Sequence, residues 1–300
     1  MRCSRRAPAL WVGGLLLAVG SALGGPRGPA PGALSRLGSG DLIILDSHLG
    51  LFRLKPGTGK VSTLVDGFGL YEGVDIEAAA FDGSEAIFVN QVPASRSFGA
   101  RLVSFNLDGK PRGEWLLPPW KGRCSGLAID VQAPAAYVAT MKTAEIFKLD
   151  LRRPKTPPQP LARISEATVL GSLALDAKRQ RLLVADVAQG ALFAVDLGTR
   201  KWQRLARDLG EPSALALDAG ADQLFVTDAS GRRVWVLDLA TRDPKPRVVA
   251  KLRELEEPMG LTLASDGSLW VGDPGAGKVF QISRDGRLLR TVGCRRMNPF

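Results

Sequence analysis

The chain has 300 residues, of which 45% are hydrophobic and 23% charged, with 34 Gly, 20 Pro and a formal charge of +10. That apolar content is enough for a large core, and the many Gly and Pro, with no long run at helical spacing, exclude an architecture built on long helices. The 40 Lys and Arg are scattered along the chain, so no polybasic patch of the kind that grips nucleic acid is present.

The first element is "MRCSRRAPALWVGGLLLAVGSALGG". Arg2, Arg5 and Arg6 form a charged head, Leu10 to Val19 an apolar core, and small residues follow, which is the pattern of a secretory signal peptide. A spanning helix needs about 20 apolar residues, whereas the charge-free run 7–26 is broken by five Gly and two Pro. The sequence therefore predicts a leader over residues 1–23 that is cleaved near Ala22, export to the periplasm or the extracellular space, and no transmembrane span after cleavage. Residues 24–40, "GGPRGPAPGALSRLGSG", read as a flexible tether. An exported chain does not meet nucleic acid routinely, so its surplus cations point to anionic partners.

From residue 41 onward one phrase recurs. "LLVADVAQGALFAVDL" (182–197), "LFVTDASGRRVWVLDL" (224–239) and "LWVGDPGAGKVFQI" (269–282) are copies, and weaker copies are centred on Asp46, Gln91 and Thr140. A short apolar run precedes nearly every copy, as in "SGLAID" (125–130), "GSLALD" (171–176), "SALALD" (213–218) and "MGLTLA" (259–264), and a turn and a further run follow it. Alternation at period two, broken by Gly, Pro, Asp and Thr, marks strands. Each unit is thus strand a, strand b, strand c and strand d, with strand a expected to be buried on both faces. Four-stranded units of 42–49 residues repeated radially are β-propeller blades. Six copies predict an all-β, six-bladed β-propeller of four-stranded antiparallel blades over residues 41–300. The first blade has no clear strand a.

The motifs "EPSALALDAGADQLFVTDASGRRVWVLDL" and "EPMGLTLASDGSLWVGDPGAGKVFQI" resemble the NHL-repeat family of six-bladed propellers, and the likeness extends over roughly residues 41–292. That resemblance implies the fold and leaves the activity open, because one fold hosts many functions. Gluconolactonase-type propellers are similar at blade level. They imply a divalent metal such as Ca2+, held in the channel by a Glu of an E-G-P-x-W motif and by Asn and Asp residues. Here Glu72-Gly73 stands for the first element with Val74 in place of Pro, and the N-G positions read Ser125-Gly126 and Met259-Gly260. Streptogramin-lyase-type propellers are also similar through "DGSLW" (266–270). Their activity relies on a His, and the single His of this chain, His48, does not fall on that motif.

The residues themselves show no zinc spacing, no phosphate loop and no nucleophile elbow. Asp186, Asp228 and Asp273 each end a strand b with Gly close behind. A residue that recurs in most units reads as a cap on the b–c turn, and Asp130, Asp176 and Asp218 read the same way at the end of strand a. Function is then expected where the repeat is broken. The b–c connection 92–100 carries extra residues including Arg96, and the connection 118–126, "PPWKGRCSG", brings Trp120, Lys121 and Arg123 to the same face. These four form the candidate binding site, with Trp120 as anchor for a protein or an anionic ligand. The segment 152–160, "RRPKTPPQP", reads as a stiff spacer on the opposite face. Cys124 and Cys294 are an even pair in an exported chain, which permits a disulfide if the tail crosses the channel mouth. The leading expectation is a non-catalytic binding scaffold for a protein, a glycan or a small anionic ligand, without metal or cofactor. The alternative is a lactonase- or lyase-like hydrolase whose site draws on Glu72, Glu211, Glu257 and His48.

Overall fold

The structure is a computed structural model that describes residues 16–19, 41–46, 50–66, 74–81, 86–93, 100–117, 124–141 and 143–293. Consecutive short runs pair antiparallel into six four-stranded sheets, in which strand order follows chain order. The fourth sheet shows the pattern, with strands Leu170–Asp176, Arg181–Asp186, Ala191–Asp196 and Trp202–Ala206. Its middle pair runs in unbroken register from Arg181↔Asp196 to Asp186↔Ala191. First strands of successive sheets lie against one another, and the first strand of the sixth sheet lies against that of the first. The fold is a β-propeller of four-stranded antiparallel blades.

Alternation along each strand sends side chains into two different sheet–sheet interfaces. Phe193 and Val195 join Tyr137 and Ile146 of the third sheet and Ile164, just past its last strand. Leu192 and Ala194, one residue out of phase, join Leu215, Leu224 and Leu237 of the fifth. A fully buried Phe or Leu contributes roughly 1.5–3 kcal/mol relative to exposure, so these interfaces hold the ring together. The interface between sixth and first sheets is built likewise, with Trp270 and Val279 against Leu42, Ile44 and Leu54.

Several expectations change. The strand buried on both faces is b, not a: Ala135–Thr140 is buried throughout, whereas Pro212–Asp218 is half-buried at Ser213, Leu217 and Asp218. The innermost strand has a neighbour on one side only. In the second sheet, strand Ala86–Pro93 continues past Gln91 and takes Val92 and Pro93 from the expected loop, pairing them with Asp75 and Val74. The segment 152–160 is not a plain spacer. Its first half is a turn in which Arg153 N–H donates to Asp150 O and Thr156 N–H to Arg153 O, and its last two residues begin strand Gln159–Arg163.

The first sheet holds a further departure. Its inner strand is Leu16–Val19, inside the expected leader, paired with Leu42–Leu45 from Leu16↔Leu45 to Val19↔Leu42. An uncharged apolar run meets the demands of an inner strand as well as those of an export signal, so the sequence alone does not separate the two. Among the described residues the only helical element is the three-residue turn Ala177–Arg179, and no helix is long and apolar enough to cross a membrane.

Candidate functional site: the face of the b–c and d–a loops

The b–c turns and the d–a connections share one end of the propeller. The recurring Asp of strand b binds the two together. Asp186 accepts from the N–H groups of Ala188 and Gln189 in its own turn, both at 3.1 Å, and from Thr168 at 2.6 Å and Val169 at 3.2 Å in the preceding d–a connection. Asp228 accepts from Gly231 N–H at 2.9 Å, Ser230 Oγ at 3.0 Å and Arg233 Nε at 2.7 Å, and across the loop from Glu211 N–H at 2.9 Å. Asp273 repeats this with Ala276, Glu256 and Glu257. All three residues are 0% exposed.

Such close approach needs glycine. Gly210 has φ +74°, and a Cβ there or at Gly231 would overlap the Asp228 carboxylate. Burial by itself pushes the Asp228 carboxyl up. The N–H groups of Glu211 and Gly231, the Arg233 guanidinium and the Ser230 hydroxyl outweigh burial and hold it below the usual carboxylate value. The sequence expectation of a turn cap is met, and the clamp on the d–a connection adds to it. Asp130, which caps Gln132 and Ala133, and Asp218, which caps Gly220 and Ala221, perform the corresponding task on the a–b turns.

The clamps fix the backbone of two candidate carboxylates. Glu211 and Glu257 each precede the Pro that leads into strand a, in the fifth and sixth sheets, and both residues are exposed. Their backbone N–H groups are held by Asp228 and Asp273, both at 2.9 Å. The carboxyl of Glu257 is raised, first by partial desolvation and then by the charges of Asp273 and Glu211. The structure therefore brings Glu211 and Glu257 within electrostatic reach of each other. Glu72, His48, Trp120, Lys121, Arg123, Arg96 and Cys294 lie outside the described residues. Cys124 is fully buried, packed with Leu102, Leu127 and Val138.

At the channel entry the inner strands are joined through hydroxyls. Ser213 Oγ donates to Pro258 O at 2.8 Å in the next sheet and lies 3.0 Å from Thr227 Oγ1, and Leu215 N–H donates to Ser172 Oγ at 3.3 Å in the preceding sheet. A hard divalent cation needs several convergent oxygens. Ser125 and Met259 supply a hydroxyl and a thioether at the N-G positions, and the Asp273 carboxylate is engaged by backbone donors. The described residues do not fit such an ion, and no three His, Cys, Asp or Glu among them form a metal-holding group.

Comparison with known proteins agrees with this geometry. Residues 163–298 match the family model described as SMP-30/Gluconolactonase/LRE-like region. A chain from the crystal structure of a nidogen/laminin complex is similar at TM-score 0.71 and 15% identity, over 86% of this chain and 95% of that one. Virginiamycin B lyase from Staphylococcus aureus is similar at TM-score 0.61 and 11% identity, over 85% and 81%. A luciferin-regenerating enzyme is similar at TM-score 0.57 and 16% identity, over 73% and 76%. No curated protein sequence matches. At these identities the likeness to solved structures is one of fold. The chain is a β-propeller, and its residues 163–298 match the family model for the SMP-30/Gluconolactonase/LRE-like region.

Proposed function

We propose that the protein is an exported six-bladed propeller that binds a protein or another anionic partner on the face of its b–c and d–a loops, without catalysing a reaction. The observation that carries this reading is the clamping of that face. The recurring buried carboxylates are occupied by backbone N–H groups, so they stiffen the loops. A stiff loop face suits recognition, because less ordering is needed on binding. Partners are then selected where the repeat departs from its consensus, at Trp120, Lys121, Arg123 and Arg96. Net positive charge favours an anionic partner and makes association fall with salt. A similar propeller chain occurring in a nidogen/laminin complex supports protein binding as a use of this fold.

The test is retention on immobilised heparin, a polyanion, eluted with a salt gradient. Wild type is expected to be retained, and the Trp120→Ala/Arg123→Ala variant to elute at lower salt with an unchanged melting temperature. Equal elution of the two would contradict the reading. A second reading, hydrolysis or lyase chemistry, is favoured by one observation: the raised carboxyl of Glu257 beside Glu211. It requires turnover of a lactone or cyclic ester that is lost in Glu257→Gln while the fold is kept.

A further inference from the structure

We infer that residues 16–19 belong to the folded propeller as the inner strand of its first sheet, so the N-terminal segment is retained rather than discarded by cleavage after residue 22. The juxtaposition behind this is specific. Leu16, Leu17, Ala18 and Val19 pair one to one with Leu45, Ile44, Ile43 and Leu42. The same short strand lies against the inner strands Val74–Phe81 of the second sheet and Gly260–Leu263 of the sixth, and against Leu269–Asp273. It therefore occupies the position that the first strand takes in every other sheet and completes the ring of inner strands.

Its partner strand is built for a neighbour on each side. Leu42, Ile43, Ile44 and Leu45 are at most 2% exposed, and Gly50–Lys55 pairs with the other edge. Cleavage after residue 22 removes the inner partner and leaves a row of unpaired backbone groups, beside apolar side chains, at the channel wall. Buried backbone groups without partners are strongly disfavoured, and an open edge is a template for pairing with foreign strands.

The connection is unusual in length. The link from Val19 to Leu42 covers residues 20–41, whereas the matching a–b turns in the third, fourth and fifth sheets cover 131–134, 177–180 and 219–222. Closing a longer loop adds only a slowly growing entropic cost, so a Gly/Pro-rich link of this size tolerates late insertion of the strand. Retention is compatible with export: an uncleaved targeting segment that leaves the bilayer can enter the slot once the other sheets have folded.

The experiment compares the full chain, a Δ1–12 chain that keeps the strand, a Δ1–22 chain that lacks it, and full-length Leu17→Pro, by thermal unfolding and amide exchange. Δ1–12 is expected to match the full chain. In Δ1–22 and Leu17→Pro, the amides of residues 42–45 that face the inner partner are expected to exchange at least about tenfold faster, as local opening no longer requires strand release. A peptide of residues 14–22 added to Δ1–22 should restore their protection. Failure of Δ1–22 to fold while Δ1–12 folds also supports retention. Equal melting temperatures and equal exchange in Δ1–12 and Δ1–22 would overturn it. So would protein recovered from its native cells that begins at Leu23 with residues 42–45 already protected.

Discussion

The fourth to sixth sheets and the third are built from the same four-strand unit but carry different side chains at the end of strand b. In the later sheets Asp186, Asp228 and Asp273 each span the b–c turn and the connection that enters strand a. In the third sheet Thr140 stands at that position, also 0% exposed. Its hydroxyl lies 2.6 Å from Thr143 Oγ1 and accepts from Glu145 N–H at 3.2 Å, within its own turn. The opposite face shows ties between the later sheets as well. Asp222 of the fifth sheet pairs with Lys178 at 2.9 Å and Arg179 at 2.8 Å of the fourth, and Arg284 of the sixth pairs with Asp218 of the fifth. The comparison teaches that the regular copies act as scaffold. The Asp side chain that recurs in most copies is committed to joining loops in the fourth to sixth sheets.

The largest expected effect comes from the packed interfaces. Phe193→Ala, at a residue 0% exposed between the third and fourth sheets, should cost about 3–5 kcal/mol in urea unfolding. A loss under about 1 kcal/mol would show that neighbouring sheets are not coupled through that interface.

Next come the clamps. Asp228→Asn keeps an acceptor for the N–H groups of Glu211 and Gly231, which share one oxygen, but it removes the charge and turns an amide NH2 toward Arg233, which loses its buried partner. A loss of about 2–3 kcal/mol is expected, against about 1 kcal/mol for Thr140→Val. Equal losses would erase the distinction between Asp and Thr at that position.

The same carboxylate sets an acid limb. Because the folded Asp228 titrates below its ordinary value of 3.8, its contribution is complete above that value and is lost as pH falls through it toward the lower folded value. Stability profiles of wild type and Asp228→Asn should therefore draw together as pH falls below 3.8 toward the lower folded value; curves that stay parallel would contradict the assignment.

Smaller effects belong to the exposed ties. Arg284→Ala should cost less than about 1 kcal/mol and should matter less at high salt. Glu257→Gln should have the opposite sign. A carboxyl raised in the folded state opposes folding when ionised, so its removal should stabilise by a few tenths of a kcal/mol near neutrality. That gain should fade as pH drops through the raised value.

Much of the scaffold was legible in the sequence for a physical reason: strand and turn chemistry is local. "LFVTDASG" displays the alternation, the capping carboxylate and the glycine within eight residues. The other half of the clamp was not legible, because Asp228 reaches a backbone N–H seventeen residues back and every non-proline residue offers one. Lys178 and Asp222 are 44 residues apart, and nothing in either local sequence marks the pairing. The strand at Leu16–Val19 was hidden because apolarity is demanded equally by a leader and by an inner strand. Of the candidate carboxylates, Glu211 and Glu257 share a place before strand a in adjacent sheets, which the repeat did reveal.

The central claim is that the recurring Asp is a clamp rather than a reacting or ligand-contacting group. Its most direct test is Asp228→Asn measured twice, by thermal unfolding and by the salt needed for elution from heparin at a temperature where the variant is still folded. The account predicts a lowered melting temperature with unchanged elution. An unchanged melting temperature with lost retention would contradict it and place Asp228 in the recognition site.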